Sequence, residues 1–174
     1  MGYDLVAVIR NAMGILFLGV GIMCAMNVEG ALPKGVRVEK DLVYGTVSDR
    51  ELVLDVYWHP DAEEAMPLLI WVHGGAWRKG SKSNVGNVLP MLSKGYAVAS
   101  VGYRLSGEAI FPAQIQDCKA AVRWLRAHAG DYKLNGDKFA AWGSSAGGHL
   151  VALLGTANDV ADWEVGDHLD VSSR

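Results

Sequence analysis

The sequence predicts an α/β fold in which a mostly parallel sheet is covered by helices on both faces. Residues 68–72 and 96–101 form two short, almost continuously apolar runs, which are typical of parallel strands buried on both faces. Residues 112–129 instead repeat apolar side chains at helical spacing. Strands alternating with helices indicate a layered α/β domain. A chain of 174 residues with 51% hydrophobic content suits one packed core.

An antiparallel hairpin is expected before the first buried strand. Residues 36–47 and 51–58 read as two strands that turn at residues 48–50. From Leu52 to Trp58 the large apolar side chains recur at every second position, which is the period of a strand. The hairpin is therefore predicted to lead into the parallel part of the sheet.

Three helices are predicted along the rest of the chain. Residues 83–94 form the first, with Gly95 as its stop. Pro112 opens a longer helix that runs to about residue 129. The third covers residues 149–154 and follows a short apolar strand at residues 138–142. The apolar stripe of the long helix predicts one buried face, formed by Ile115, Cys118, Val122, Leu125 and Ala129.

The most informative motif joins that last strand to the third helix. Gly143-Ser144-Ser145-Ala146-Gly147 contains G-x-S-x-G with Ser145 at its centre, and strand, tight turn and helix form the context in which this pattern indicates a nucleophilic serine. The residues two before and two after the serine come close together, so both must be small. Ser144 is excluded as the nucleophile, because Trp142 would occupy the crowded position.

A second motif follows the buried strand at residues 68–72. It reads His73-Gly74-Gly75-Ala76-Trp77, and a Gly-Gly turn at a strand end exposes backbone N–H groups. Acyl transfer needs such donors, since its tetrahedral intermediate carries a negative oxygen. The two motifs together favour a serine hydrolase over a chance match.

These motifs, with Tyr103-Arg104-Leu105, resemble the α/β-hydrolase superfamily, and most closely its hormone-sensitive-lipase-like esterases, bifunctional feruloyl and acetyl-xylan esterases and kynurenine formamidases. The resemblance implies a carboxylic-ester hydrolase that forms an acyl-enzyme on Ser145 and uses no cofactor or metal. It implies oxyanion donors at Gly75, Ala76 and Ala146. The supporting positions that it implies are His73, Gly74, Gly143 and Gly147.

The acid and base of the triad are not identified in this sequence. In this superfamily they follow the serine in the order acid and then histidine, and residues 146–174 offer an acidic loop with His168. His149 is expected to pack, and His73 to hold the oxyanion turn. We therefore expect residues 31–174 to be the N-terminal part of a hydrolase domain that is inactive alone, with its acid and base beyond residue 174.

Residues 1–30 are predicted to be a signal peptide or an N-terminal anchor. Residues 12–26 are nearly all apolar and follow Arg10, a length that suits a signal-peptide core better than a spanning helix. Export to the periplasm or the exterior is favoured over a cytoplasmic location, and membrane contact is expected only through an uncleaved segment. Two cysteines, Cys24 and Cys118, provide neither a disulfide framework nor a metal site.

Several functions stay open at this point. A net charge of −3 gives no argument for nucleic acid, so the expected partner is a small-molecule or polysaccharide-linked ester. An arylformamidase or a peptidase on the same fold is the alternative within enzymes. A binding domain that has lost catalysis is the alternative outside them. The sequence does not indicate an oligomeric state.

Overall fold

A computed structural model of the chain describes residues 32–85, 88–157 and 160–174. The predicted signal peptide or anchor at residues 1–30 lies outside the described residues. Within the described ranges, no helix is long and apolar enough to cross a membrane.

The described residues build a five-stranded sheet with the order β1-β2-β4-β3-β5. The predicted hairpin is confirmed, since β1 and β2 pair antiparallel. The second strand of the hairpin also pairs antiparallel with β4, whereas β3 pairs parallel with both β4 and β5. The strands are β1 (Arg37–Val47), β2 (Arg50–Trp58), β3 (Met66–Val72), β4 (Ala97–Val101) and β5 (Leu134–Gly143).

The register of the parallel strands fixes where a site can form. Val72 ends β3 and lies opposite Val101 of β4 on one side and Gly143 of β5 on the other. The carboxyl ends of these three strands therefore meet at one edge of the sheet. In open α/β sheets, ligands bind at this edge. The two sequence motifs directly follow β3 and β5, so the register brings them together.

Among the described residues, two α-helices pack with this sheet into one core. They are α1 (Ala113–Ala127) and α2 (Ala146–Thr156), and they contact each other as well as strands of the sheet. The predicted stripe on α1 is correct for Ile115, Cys118, Val122 and Leu125, which are all buried in the core. Ala129 lies just beyond the helix and packs against that core.

The helix predicted for residues 83–94 is wrong in its first part. A 3₁₀ helix covers only Leu89–Lys94, with Pro90 in its first turn and Gly95 in the left-handed region at its end. Residues 83–85 are not helical. The Ser100 hydroxyl donates to the carbonyl oxygen of Lys82, and the Trp71 indole donates to that of Asn84. Carbonyl oxygens that would accept hydrogen bonds within a helix therefore accept them from side chains of β3 and β4 instead.

A buried ion pair attaches the loop after β4 to α1. The Asp117 side chain is 2% exposed, and Arg104 donates to it from Nη2 at 2.6 Å and from Nε at 2.9 Å. The backbone N–H of Arg104 donates to the same carboxylate at 2.9 Å. This arrangement satisfies the carboxylate from both the side chain and the backbone of Arg104, as a buried charge requires.

Replacement of Asp117 by Ala should lower the free energy of unfolding by about 3 to 5 kcal/mol, because it leaves the Arg104 guanidinium without its partner in a largely buried position. Urea unfolding followed by circular dichroism measures this difference. The exposed Glu63 provides the control, since Glu63→Ala should change stability by no more than about 0.5 kcal/mol. Equal effects of the two substitutions would show that the ion pair does not hold the loop.

Candidate active site at the carboxyl edge of the sheet

Ser145 lies in a strained turn between β5 and α2. Its backbone angles are φ 53° and ψ −117°, and it is the residue that immediately precedes α2. A non-glycine residue with this conformation costs energy and is found mainly at functional sites. Ser145 is also exposed. The structure thus places Ser145 in the strained turn that the motif predicted, and Ser144 does not share its positive φ.

The turn closes because its two flanking glycines touch other backbone atoms. A Cβ atom added to Gly143 would overlap the backbone of Gly147. A Cβ atom on Gly147 would overlap the carbonyl oxygen of Val72 and lie 2.7 Å from that of His73. Any side chain at either position would push α2 away from the sheet edge, so the requirement for small residues is confirmed as a packing constraint.

The second motif forms a tight turn of unusual backbone conformation after β3. The φ angles of Gly75, Ala76 and Trp77 are 120°, 55° and 58°. The carbonyl oxygen of Gly75 accepts hydrogen bonds from the backbone N–H groups of Arg78 and Lys79 at 3.0 and 3.1 Å. These two hydrogen bonds close the turn on the carbonyl of Gly75.

The two motifs are in direct contact. A Cβ atom added to Gly74 would lie 2.6 Å from the carbonyl oxygen of Ser144 and 3.5 Å from Cβ of Ser145. The backbone N–H groups of Gly75, Ala76 and Ala146 donate to no acceptor within the described ranges. Ala146 is the first residue of α2, and the first N–H groups of a helix carry partial positive charge. The site therefore combines an exposed hydroxyl with unpaired donors.

His73 supports the start of the turn after β3 from a buried position. It is 1% exposed, and its ring stacks on that of Tyr103 with centroids 4.3 Å apart. The Nδ1–H group donates to the carbonyl oxygen of Gly74 at 2.8 Å. The Tyr103 hydroxyl donates to the carbonyl oxygen of His73 at 3.0 Å. Burial lowers the pKa of His73 below its ordinary value of 6.5, which keeps the ring neutral.

The structure does not bring His168 to Ser145. The His168 ring lies edge-on against His128, with centroids 5.5 Å apart, and His128 follows the carboxyl end of α1. His149 lies in the first turn of α2, and its ring packs edge-on against that of Trp77 with centroids 5.3 Å apart. Within the described ranges, no side chain forms a hydrogen bond with the Ser145 hydroxyl. All five histidines of the sequence are described, and none of them is bound to this serine.

Cys118 provides no second nucleophile. Its thiol is buried in the core, and burial raises its pKa, which disfavours the reactive thiolate. In the part of the chain that the structure describes, no group of His, Cys, Asp and Glu side chains is arranged to hold a metal ion.

A cavity of about 550 Å³ opens beside the serine. The sequence analysis did not predict that Trp142 lines this cavity. Its position at the end of a strand, directly before the G-x-S-x-G motif, could have indicated this. The Trp142 ring is 48% exposed, and it packs edge-on against Trp71. The lining residues are Trp71, Gly74, Gly75, Lys79, Gly80, Asn84, Trp142, Ser144 and Ser145.

Comparison with known sequences identifies esterases. The family model BD-FAE matches residues 54–173. Esterase LipQ of Mycobacterium tuberculosis is 33% identical over 148 residues, which cover 81% of this chain and 34% of the relative. An arylesterase of Saccharolobus solfataricus is 39% identical over 108 residues, which cover 61% of this chain and 35% of the relative. The chain thus spans about a third of the length of these curated relatives.

Comparison with solved structures also identifies esterases. A truncated form of a carbohydrate esterase from gut microbiota superimposes with a TM-score of 0.70 at 30% identity, over 79% of this chain and 53% of that one. A bacterial heroin esterase superimposes with a TM-score of 0.64 at 31% identity, over 76% of this chain and 42% of that one.

Replacement of Gly147 by Ala should lower the free energy of unfolding by about 1 to 3 kcal/mol, because the added methyl group meets the carbonyl oxygens at the end of β3. Gly155 lies in the same helix, and a Cβ atom there meets no atom within 4 Å. Gly155→Ala should instead raise stability by about 0.5 to 1 kcal/mol. Urea unfolding compares the two variants. Similar effects at both positions would contradict the packing constraint.

Proposed function

Because the chain belongs to the BD-FAE family of α/β-hydrolases, we propose that it contributes the nucleophile and the oxyanion hole of a carboxylic-ester hydrolase. The observation that carries this proposal is the contact between the exposed Ser145 and the turn with unpaired N–H groups. The esterases that resemble the chain support the reaction class. The strained conformation of Ser145 supports its role.

In the proposed reaction the Ser145 hydroxyl attacks the carbonyl carbon of the ester while a histidine base takes its proton. The carbonyl oxygen becomes negative and accepts hydrogen bonds from the N–H groups of Gly75, Ala76 and Ala146. Each such donor contributes about 3 to 4 kcal/mol to stabilisation of the transition state. The tetrahedral intermediate collapses, the base returns the proton to the leaving alcohol, and the acyl group stays on Ser145. Water then repeats the sequence and releases the carboxylic acid.

We propose that the base is a histidine outside these 174 residues. His73 is buried against Tyr103, and His168 packs against His128 at the carboxyl end of α1. His149 is the one histidine on the same helix as the serine turn, and its ring packs against Trp77. A serine without its base keeps only the catalysis that binding and the oxyanion hole provide.

Kinetics of p-nitrophenyl acetate hydrolysis test the nucleophile, with the protein produced at its natural length. Ser145→Ala should lower kcat/KM at least about 1000-fold, because removal of a triad member has effects of this size or larger. Ser144→Ala is the matched control, since Ser144 is also exposed and lies one residue away. Because Ser144 lines the cavity, its replacement should lower kcat/KM by no more than about tenfold, far less than Ser145→Ala. A large loss in the Ser144 variant with an active Ser145 variant would refute the assignment.

The same assay tests the proposed location of the base. The 174-residue chain should hydrolyse the ester at least about 1000-fold more slowly than the natural-length protein. In the natural-length protein, His149→Gln should leave more than about a tenth of kcat/KM, because His149 acts in packing. Full activity of the 174 residues, lost on His149→Gln, would identify His149 as the base and overturn this part of the proposal.

A further inference from the structure

A second cavity is lined in part by Trp77, at the end of the proposed oxyanion turn, and shares no lining residue with the cavity at Ser145. We propose that it binds an apolar group of the ester that carries a hydroxyl or amine donor, and that the Gln114 side chain accepts the hydrogen bond from this donor. The inference rests on the proposed function, because it assigns a substrate class to the same active site. It goes beyond that function in naming a specificity-determining residue.

The cavity is small and mostly apolar. Its volume is about 310 Å³, at the lower end of the range for small-molecule sites, so it suits one ring or a short chain. Trp77 and Phe111 are large hydrophobic residues that are 38% and 55% exposed, which is unusual for such side chains close together without a function. The lining residues are Trp77, Ser106, Phe111, Gln114, His149 and Leu150.

The position of the cavity connects it with the reacting serine. Trp77 directly follows Ala76 in the oxyanion turn. His149 belongs to the first turn of α2, and its backbone N–H donates to the carbonyl oxygen of Ser145 at 3.1 Å. The rings of Trp77 and His149 meet edge-on. The proposed oxyanion turn and α2 therefore both contribute to the lining of the second cavity. A substituent of an ester bound at Ser145 can therefore reach into the second cavity.

The chemistry of the ligand follows from Gln114. This side chain is 3% exposed, and its Nε2 group donates to the carbonyl oxygen of Ala109 at 2.8 Å. Its Oε1 atom accepts no hydrogen bond from any described residue. Buried polar atoms nearly always have a partner, and an unpaired one disfavours the folded state. A ligand with an O–H or N–H group in the cavity would donate the missing hydrogen bond to this oxygen.

An anionic group fits this cavity poorly. No lysine or arginine is among its lining residues, and the unpaired oxygen of Gln114 would repel a carboxylate. An amine or hydroxyl at the end of an apolar group meets both requirements, since the rings cover its apolar part and Gln114 accepts its proton.

The outer wall of the cavity is fixed by the last described segment. Phe111 packs edge-on against Trp163, with ring centroids 5.4 Å apart. The next residue, Glu164, pairs with Lys119 of α1 at 2.6 Å and also with Arg123. Both cations are buried. The position of Phe111 therefore depends on a buried ionic cluster rather than on a free loop, which favours a preformed site.

Binding of phenol and toluene tests the proposal, because the two probes have similar shape and only phenol carries a donor. Their dissociation constants are measured by NMR titration of the natural-length protein, its Gln114→Met variant and its Gln116→Met variant. Gln116 lies on the same helix outside the cavity and serves as the matched control. The preference for phenol over toluene should fall about 5- to 10-fold in Gln114→Met and stay unchanged in Gln116→Met.

A phenol preference that is unchanged in Gln114→Met, or no binding of either probe, would overturn the proposal. If Gln114→Met does not fold, Phe111→Ala provides the second variant. Phe111→Ala should weaken the binding of phenol and of toluene to a similar extent, because it removes an apolar contact and leaves the Gln114 acceptor in place. Unchanged affinity of both probes in this variant would also overturn the assignment.

Inhibition kinetics then connect the cavity with the reaction. Phenol should inhibit ester hydrolysis competitively, and this inhibition should weaken in Gln114→Met. Binding without competition would show that the cavity is not part of the substrate site and would overturn the inference alone. Absence of any Ser145-dependent hydrolysis would instead contradict the proposed function, whatever the probes bind.

Discussion

The close approach of two backbone segments is the constraint on which the rest of the site depends. Gly147 lies against the carbonyl oxygens of Val72 and His73, and Gly74 lies against that of Ser144. No side chain fits at either contact, so the start of α2 and the turn after β3 lie directly against each other. The positive φ angles of Ser145 and Ala76 lie on the two sides of this contact.

The remainder of the fold holds these two segments in place. The parallel register sets Val72 beside Gly143, which brings the two strand ends level. Tyr103 supports His73 from the neighbouring strand end through ring stacking and a hydrogen bond. The ion pair of Arg104 with Asp117 attaches the loop that follows Tyr103 to α1. These contacts hold the turn after β3 in a fixed position next to Ser145.

Local patterns were sufficient to predict the hairpin, the buried strands, the stripe on α1 and the strained turn at Ser145. Each depends on spacing within a few residues, and the role of Ser145 in catalysis stays a prediction. The first part of the helix predicted for residues 83–94 is wrong, because side chains of Trp71 and Ser100 on distant strands donate to the carbonyl oxygens of Asn84 and Lys82. The burial of Lys119 and Arg123 was also beyond prediction, because their partner Glu164 is more than 40 residues away. Gln114 gave no local signal, because only the folded chain leaves its oxygen unpaired.

The most direct measurement of the central claim is a crystal structure of the natural-length protein after reaction with an alkyl fluorophosphonate. We expect a phosphorus atom bonded to Oγ of Ser145. We also expect the phosphoryl oxygen within about 2.7 to 3.1 Å of the backbone nitrogens of Gly75, Ala76 and Ala146. An adduct on Ser144 or another side chain would contradict the account. An adduct on Ser145 whose oxygen faces away from these nitrogens would contradict it equally, because the contact between the two backbone segments would then have no role in the reaction.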